Sequence, residues 1–296
     1  MVELGNRRVL APGRWRWARA LGWMAALIVA LGFVFAGAIA GLALLLRGIE
    51  PAGVRLTQGW PGVAIMAAAL AVLVGGYVLA VRWGEARSPS ELAPARLLPE
   101  LVAGLGVGGL LMAATIGSMA LLGLVTIRPS TPDAITSALI GTLQSGVSEE
   151  LIFRLVVFRL LWRAFGAWWA LGLSALLFGI LHLTNPNASL FAGLCIAFEA
   201  GILLAAFYML TGRIWTSMGV HMGWNFTQGW IFGAAVSGTD GFAGGPLVTM
   251  PKAVVADWLD GGGFGPEAAL PALVICTAVG LWVLQRAWRR DRFAAA

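Results

Sequence analysis

Apolar runs of membrane-spanning length recur along the whole chain and restrict what it can fold into. One helix needs about 20 mostly apolar residues to cross a bilayer. Hydrophobic residues make up 59% of the 296-residue sequence and charged residues only 11%, whereas a soluble domain usually carries about 25% charged residues. We therefore predict an all-α, polytopic membrane helix bundle that forms one integral membrane domain over residues 1–296.

The apolar runs predict about eight transmembrane helices. Proline and glycine mark most of the joints between them. The expected spans are residues 21–46, 60–81, 101–126, 134–162, 167–184, 188–210, 213–236 and 267–287. Loop 237–266, before the last span, is rich in glycine and proline, and the sequence leaves open whether it caps the bundle or is mobile.

Arginines give the bundle an orientation. The net charge of +6 comes almost entirely from arginine, and the arginines cluster at alternate joints, as the positive-inside rule predicts for cytoplasmic loops. We therefore expect both termini to be cytoplasmic, and no nucleic acid partner is needed to explain the charge. The preference for arginine over lysine is typical of a GC-rich bacterium, so we expect a bacterial cell membrane. The opposite joints hold only Arg47, Arg55, Arg128 and Lys252.

Ionisable residues inside the apolar runs are the strongest functional signal. Glu149, Glu150 and Arg154 lie within the expected fourth span, and the only two histidines, His182 and His221, also lie in apolar segments. A charged side chain in hydrocarbon costs several kcal/mol, so such residues are functional candidates by default. Their number in one chain indicates a reaction centre.

Helical spacing places the two adjacent glutamates on different faces of their helix. Glu150 and Arg154 are four residues apart on one helix face, in the favourable order of acid before base. An ion pair between them would give both a supporting, structural role. Glu149 lies off that face and has no partner on its own helix, which makes it the better candidate for a working carboxylate. The alternative is that all three residues form a purely structural network.

The remaining candidates lie on other expected helices. Phe178 precedes His182 by four residues and can pack against its imidazole or wall the site. His221 and Asn225 share a helix face, and an asparagine amide can donate to a developing oxyanion or bond a neighbouring helix. Glu199 has no cation within a turn, and we expect it to line a cavity, to hydrogen-bond while protonated, or to accept a bond from His221 or from Trp215.

Three ordered motifs resemble a known family. EExxxR, FxxxH and HxxxN are found at Glu149–Arg154, Phe178–His182 and His221–Asn225. This set resembles the CPBP family of intramembrane proteases, which includes type II CAAX prenyl endopeptidases and bacteriocin-processing or self-immunity proteins. The resemblance implies an eight-helix bundle with a polar cavity reached from the membrane, and residues 134–236 as the motif-bearing catalytic core.

The same resemblance implies a role for each catalytic residue. Glu149 would activate a water molecule, His182 would assist, and His221 and Asn225 would stabilise the oxyanion. The expected activity is that of an intramembrane endopeptidase which hydrolyses a peptide bond of a membrane-associated protein or peptide. The sequence preserves every motif position, so nothing in the motifs indicates an inactive member.

Metal dependence is left open by the sequence, so the cofactor is either none or zinc. Glu149, His182 and His221 would form an accepted catalytic zinc set with an open fourth position. No HExxH motif is present. Using Glu149 as a ligand would require another base, either Glu150 or a zinc-bound hydroxide. The metal-free scheme needs no additional base, and we therefore favour Glu149 as the general base.

Other classes of protein use similar polar clusters. A proton-coupled transporter or channel would employ the acids and histidines as a relay, but the repeats typical of transporters are not visible. A non-catalytic scaffold or immunity protein would retain the cluster as a fold relic. The expected partners are the lipid bilayer and a membrane-associated peptide or protein substrate, which we expect not to be prenylated in a bacterium. The sequence does not indicate the oligomeric state.

Overall fold

The computed structural model describes residues 1–46, 58–133 and 135–294. Within these ranges, eight long helices form the bundle, and several change from α-helical to π-helical geometry along their length. Their bounds are α1, Arg16–Leu46; α2, Gly59–Glu85; α3, Leu97–Leu121; α4, residues 135–165; α5, Ala167–His182; α6, Leu190–Thr211; α7, residues 215–231; and α8, Leu270–Trp288.

Helix length and composition confirm the all-α membrane bundle. In the described part of the chain, five helical segments are long and apolar enough to cross a membrane. Helices α4, α5 and α7, which hold the three motifs, are not among these five; α5 is apolar but has only 16 residues. The expected number of eight spans therefore stays a prediction. The five segments are Arg16–Leu46, Gly59–Glu85, Ser90–Leu121, Leu190–Thr211 and Leu270–Trp288.

The third expected span, 101–126, extends too far toward its carboxyl end. Helix α3 ends at Leu121, and Gly123 takes a positive φ of 73° to turn the chain. The apolar residues that follow form a strand instead, β1, Val125–Pro129, which pairs antiparallel with β2, Leu247–Pro251. The β-branched residues at the start of β1 favour a strand, but their hydrophobicity continues that of the helix. This small sheet was not predicted.

Other helix boundaries move by a few residues. The first begins at Arg16 rather than 21, and the seventh ends at Ile231 rather than 236, near Gly233 with a φ of 59°. The fourth continues to Phe165, and Ala134, its expected first residue, lies outside the described residues. Arg47 and Arg55 also lie outside them.

Helices α3 and α7 pack backbone against backbone. Gly104 and Gly108 on α3 face Gly219 and Gly223 on α7, so each helix contributes glycines four residues apart. A Cβ atom at Gly108 would lie 2.0 Å from the Val220 carbonyl oxygen, and one at Gly223 would lie 2.2 Å from that of Leu105. Small residues with this spacing allow the close approach of membrane helices. The contact fixes the rotation and depth of α7, which carries His221 and Asn225.

One end of the bundle is rich in arginine and is covered by the amino-terminal segment, residues 1–10. Arg163 at the end of α4 donates to the carbonyl oxygens of Gly5 and Leu10, each at 3.0 Å. Burial, together with the charges of Arg292 and Arg213, lowers the pKa of the Met1 amino group. These groups from distant parts of the sequence therefore lie at the same end, which we call the arginine end.

A buried ion network ties helices together at the arginine end. Arg159 contacts Glu85 at 2.7 Å, and Glu85 contacts Arg87 at the same distance. Arg87 continues the network to Glu91 at 2.8 Å. Each buried charge thus has an opposite charge beside it, which offsets the cost of removing it from water.

Residues 232–269, which we call the cap, cover the other end. Phe242 inserts between α4 and α7, since Cβ atoms at Gly141 and Gly229 would lie 2.7 and 2.2 Å from its side chain. Ser237 donates from its backbone N–H and its hydroxyl to Glu267 Oε1 at 2.5 and 2.7 Å. Of the two alternatives for loop 237–266, the structure therefore shows the cap.

Candidate functional site

All four predicted catalytic residues line one cavity, which we call the central cavity. It has a volume of about 250 Å³ and lies below the cap, between α4, α5 and α7. Glu149 comes from α4, His182 from the end of α5, and both His221 and Asn225 from α7. Helix α5 ends at His182, and the cap supplies Ser237 and Phe242 to the opposite wall.

The tautomer of neutral His182 follows from its hydrogen bond. Its Nδ1 lies 2.8 Å from the backbone carbonyl oxygen of Phe178. A carbonyl oxygen can only accept, so Nδ1 carries the hydrogen and Nε2 of the neutral ring is left as an acceptor. The ring is half-buried. His182 therefore offers a fixed acceptor in the central cavity.

Glu150 contacts two side chains in the interior. Its Oε2 lies 3.1 Å from Arg154 Nε, which is the ion pair predicted from their spacing. Its Oε1 lies 3.0 Å from Nδ1 of His221, a contact between helices that the sequence did not indicate. Glu150 and Arg154 are fully buried. Glu150 therefore links the structural arginine to one of the candidate catalytic residues.

Phe178 lies at the centre of the aromatic and cationic groups. Its ring centroid is 4.6 Å from that of His182 and 6.4 Å from that of His221. The guanidinium carbon of Arg154 lies 5.1 Å from the same centroid, within the range of a cation–π contact. Phe178 thus packs against the imidazole of His182, as its spacing predicted, and it also contacts the buried Arg154.

The amide of Asn225 is oriented by Ser145. Ser145 donates its hydroxyl hydrogen to the Gly141 carbonyl oxygen at 2.9 Å. Toward any other group, its oxygen can therefore act only as an acceptor. Asn225 Nδ2 donates to that oxygen at 2.9 Å. One amide hydrogen of Asn225 is then left for a ligand. The contact between Ser145 and Asn225 was not predicted, because it joins side chains of two helices that are distant in the sequence.

Glu149 lies between two openings. It is half-buried and makes no hydrogen bond or ion pair within the described part of the chain. On one side it borders the central cavity. On the other side it borders an apolar groove of about 220 Å³, which we call the lateral groove. The groove is lined by side chains of α1, α2 and α4 that include Leu31, Phe35, Leu73 and Phe153. Glu149 therefore keeps free carboxylate oxygens at the edge of the central cavity, as its position off the Glu150–Arg154 face predicted.

Segments of π-helix accompany the site residues. Glu149 ends the π-helical turn Gln144–Glu149, Arg154 lies in Leu151–Phe158, and Glu199 lies in Ala197–Ile202. A further turn, Thr227–Ile231, begins two residues after Asn225. Such turns are rare in proteins overall, and those that occur are often at functional sites. They were not predicted, because hydrophobic periodicity does not separate the two helix types over so short a length.

The possible zinc set of Glu149, His182 and His221 is not grouped as a metal site in the described residues. Within residues 1–46, 58–133 and 135–294, no three histidine, cysteine or acidic side chains are grouped so that they could hold a metal ion. His221 directs Nδ1 to Glu150, and His182 directs Nδ1 to a carbonyl oxygen. These contacts leave Nε2 of each ring directed away from its Nδ1 partner.

Glu199 lines a second, small cavity, the side cavity, of about 30 Å³. It receives no bond from His221, whose Nδ1 contacts Glu150, or from Trp215, which donates to the Ala93 carbonyl oxygen at 3.0 Å. Of the three expectations for Glu199, the lining of a cavity is the one observed. The side cavity shares His182, His221 and Asn225 with the central cavity.

Glu267 of the cap was not predicted as part of the site. It lines the side cavity and is 2% exposed, and burial raises its pKa. Bonds from Ser237, together with a weaker one from Trp224 at 3.4 Å, satisfy its carboxylate. The sequence signal was the acidic character of the loop before the last span, but nothing in it showed that this acid turns inward.

Comparison with known proteins yields one family. Residues 131–227, roughly a third of the chain, match the model of a family described as Rce1-like, type II CAAX prenyl endopeptidase. No curated protein and no solved structure matches the chain. The match confirms the resemblance inferred from EExxxR, FxxxH and HxxxN. Residues 131–227, the segment with all three motifs, are thus similar to the Rce1-like type II CAAX prenyl endopeptidase family.

Proposed function

We propose that this protein is an intramembrane endopeptidase that hydrolyses a peptide bond of a membrane-associated protein or peptide. The family match supports membrane endopeptidase activity in general. The observation that carries the proposal is the central cavity, in which three separate helices present Glu149, His182, His221 and Asn225. Polar groups converging in a concave site are the usual arrangement of an active site.

Glu149 is the general base in this proposal. Its carboxylate has no hydrogen-bond or ion-pair partner in the described residues and borders the central cavity, so it is free to take a proton from water. Nε2 of His182 accepts a hydrogen bond from the second hydrogen of the same water and so orients that water. A base positioned in this way typically contributes 10²–10⁴-fold, as an order of magnitude, to the rate.

His221 and Asn225 stabilise the oxyanion. To donate from Nε2 while Nδ1 bonds Glu150, the His221 ring must be an imidazolium, and the Glu150 carboxylate at 3.0 Å favours that form. Asn225 donates the amide hydrogen that Ser145 does not use. Donors fixed before the reaction act where the charge develops, so they lower the barrier without reorganising.

Glu149 both accepts a proton from water and returns it to the leaving amine. Water adds its hydroxyl to the carbonyl carbon while its proton moves to Glu149, and the carbonyl oxygen becomes the oxyanion. Glu149 then returns the proton to the amide nitrogen as the carbon–nitrogen bond breaks. A carboxylic acid and an amine are released, and the carboxylate of Glu149 is regenerated.

The lateral groove suggests the route of the substrate. It is lined mainly by apolar side chains of α1, α2 and α4 and ends at Glu149. An apolar portion of a membrane-associated substrate would lie in this groove while the peptide bond enters the central cavity. In our proposal the host is a bacterial cell membrane, both termini are cytoplasmic, and the substrate is a non-prenylated peptide.

Substitution of Glu149 by glutamine tests the proposal. Because the amide cannot take a proton from water, we expect cleavage to fall about 10²–10⁴-fold with an unchanged melting temperature. Comparative proteomics of cells with the wild type and with Glu149→Gln should reveal a peptide bond that only the wild type cuts. The purified enzyme should also retain activity in the presence of chelators.

Glu100→Gln is a matched control for the loss of one carboxylate. Glu100 pairs with Arg213 at the arginine end, away from the central cavity. The Glu100→Gln variant should cleave the substrate at the rate of the wild type. Full activity in Glu149→Gln would refute the glutamate-base mechanism, and a large loss of stability with no detectable cleavage in the wild type would indicate a structural cluster.

A further inference from the structure

Three arginines meet at the surface of the arginine end, where α1 packs against the last turns of α4. Arg163 of α4 donates to the carbonyl oxygen of Leu10 at 3.0 Å. Arg19 of α1 donates to the next carbonyl oxygen, that of Ala11, at 2.8 Å. Consecutive Cα atoms are only about 3.8 Å apart, so the two guanidinium groups are neighbours. Arg16 lies one turn before Arg19, and its charge also acts on Arg163; we call these three residues the arginine cluster.

Acids at this end pair with other arginines and leave the arginine cluster without an opposite charge. The ion pairs join Arg87 with Glu3, Glu85 and Glu91, Arg159 with Glu85, and Arg213 with Glu100. The exposed Asp291, after α8, forms no ion pair within the described residues, and neither does any member of the arginine cluster. Like charges held close together repel each other, so the arginine cluster favours the binding of an anion.

Hydrogen bonds to the amino-terminal segment hold two of the three guanidinium groups in place. Arg163 and Arg19 each donate through Nε and Nη2 to backbone carbonyl oxygens of residues 5–12. Within the described residues, Nη1 of each has no hydrogen bond, and the exposed Arg16 has none at all. Guanidinium groups match phosphate oxygens in geometry and form charge-assisted hydrogen bonds with them. The arginine cluster therefore presents oriented donors to a phosphate group.

Exposed tryptophans beside the arginine cluster place it at the level of lipid headgroups. Trp15 and Trp17 flank Arg16 in the sequence, and both are exposed. Trp168 and Trp169, in the first turn of α5, are exposed as well. Tryptophan is enriched at membrane–water interfaces, and α1, which starts at Arg16, is long and apolar enough to cross a membrane. The phosphate groups found at this depth are those of phospholipids.

We propose that the arginine cluster is a binding site for the phosphate group of an anionic phospholipid, whose acyl chains lie against the exposed apolar side of α1. A zwitterionic phospholipid carries the same phosphate group, but its ammonium group meets the positive charge of the arginine cluster. Each arginine near a membrane surface strengthens the attraction of anionic lipid roughly fivefold. Such a lipid would join α1 to α4 whether or not the protein cleaves peptides.

Competition between two lipids tests the site on the full-length protein in a neutral detergent. Native mass spectrometry measures which lipid stays bound when dioleoylphosphatidylglycerol and dioleoylphosphatidylcholine are supplied in equal amounts. We expect the first lipid retained by the wild type to be phosphatidylglycerol, with a preference of at least about 25-fold. In the variant with both Arg16→Gln and Arg163→Gln, the preference should fall to roughly fivefold or less.

The variant with both Arg289→Gln and Arg290→Gln is the matched control. It loses two charges from the same end, and both positions are exposed and lie outside the arginine cluster. Its preference for phosphatidylglycerol should equal that of the wild type. An equal fall in the control would overturn the site, because the attraction would then come from the total charge. Equal retention of the two lipids by the wild type would overturn it as well.

Inorganic phosphate separates a lipid site from a site for the free anion. Ammonium phosphate, compared with ammonium acetate of the same ionic strength, should displace little of the bound phosphatidylglycerol, because it lacks acyl chains. Full displacement would assign the arginine cluster to free phosphate and overturn the lipid site.

Arg16→Gln alone covers the case in which the double variant does not fold. Arg16 is exposed and has no hydrogen bond to lose within the described residues, so the single variant should fold like the wild type. We expect its preference for phosphatidylglycerol to fall about fivefold. An unchanged preference in Arg16→Gln would contradict the site.

Discussion

Glu149 and Glu150 are adjacent in the sequence but lie in different environments. Glu150 points into the interior and bridges Arg154 and His221, whereas Glu149 borders the central cavity and the lateral groove. The rotation between consecutive helical residues separates them. Two identical side chains thus have two roles in our proposal, a base and a partner that holds the charge of an imidazolium.

Removal of the Glu150 charge should destabilise the protein. Glu150→Gln leaves Arg154 as an uncompensated charge in the interior, and breaking a buried pair in this way costs on the order of 3–5 kcal/mol. We expect a clear fall in the melting temperature in detergent. Glu149→Gln should shift it much less, because Glu149 has no ion pair to lose. Equal melting temperatures for the two variants would contradict the structural role of Glu150.

Loss of the Ser145 hydroxyl should affect catalysis more than binding. In Ser145→Ala the Asn225 amide loses the acceptor that orients it, so we expect kcat to fall roughly 10–100-fold, the scale of misplaced catalytic groups, with KM nearly constant. Ser118→Ala is the control, since its hydroxyl bonds only the Thr115 carbonyl oxygen on α3. An unchanged kcat in Ser145→Ala would remove Ser145 as a positioning residue.

Local spacing explains which site residues could be predicted. The Glu150–Arg154 pair and the Phe178–His182 contact each join residues four apart on one helix, and this distance is fixed by helical geometry. Contacts between helices were not accessible in the same way. The bonds from Asn225 to Ser145 and from Ser237 to Glu267 depend on packing between distant segments.

At the scale of elements, the glycine contact between α3 and α7 holds the third motif in place. Gly108→Leu would push a side chain into the Val220 backbone, which a Cβ atom alone would already approach to 2.0 Å. Overpacking of this kind typically costs about 1–3 kcal/mol or more. We expect a lower melting temperature and a loss of cleavage, because α7 must move away from α3.

Gly106→Leu is the matched control for this substitution. Gly106 lies on the same helix, and a Cβ atom there would meet nothing within 4 Å. Its melting temperature should stay close to that of the wild type. Similar melting temperatures in Gly106→Leu and Gly108→Leu would show that the close approach of the helices does not matter for stability.

The sequence predicted helices better than it predicted what joins them. Apolar runs identified every long helix in the described residues, because each helix buries or presents to lipid a continuous apolar surface. The predicted helix ends were wrong where an apolar strand follows an apolar helix, as at Val125–Pro129 after α3. Loop 237–266 was left open, since the interactions that order the cap involve Phe242, Ser237 and Glu267 across the fold.

At the scale of the whole molecule, the arginine end and the cap define two opposite faces. Arg159 and Arg163 lie at one end of α4, and Gly141 contacts Phe242 of the cap near the other. This separation supports the proposed orientation, with the arginine end toward the cytoplasm. The cap would then lie on the outer side of a bacterial cell membrane.

Cysteine labelling in intact cells tests this orientation. A membrane-impermeant thiol reagent should label Asp240→Cys in the cap before lysis, and Arg290→Cys only after it, since both positions are exposed. The native Cys195 and Cys276 are buried, so they should give little background. Labelling of Arg290→Cys in intact cells would reverse the orientation.

The shortness of α5 makes the bilayer a part of the site. A helix of 16 residues rises only about 24 Å at 1.5 Å per residue, less than the roughly 30 Å of hydrocarbon in a typical bilayer. Its exposed apolar side chains, Leu176, Leu177 and Ile180, face outward, and in the proposed eight-span arrangement the bilayer would thin locally to match so short a helix. In that arrangement we expect the acyl-chain length of the host membrane to set how near water comes to His182, the last residue of that helix.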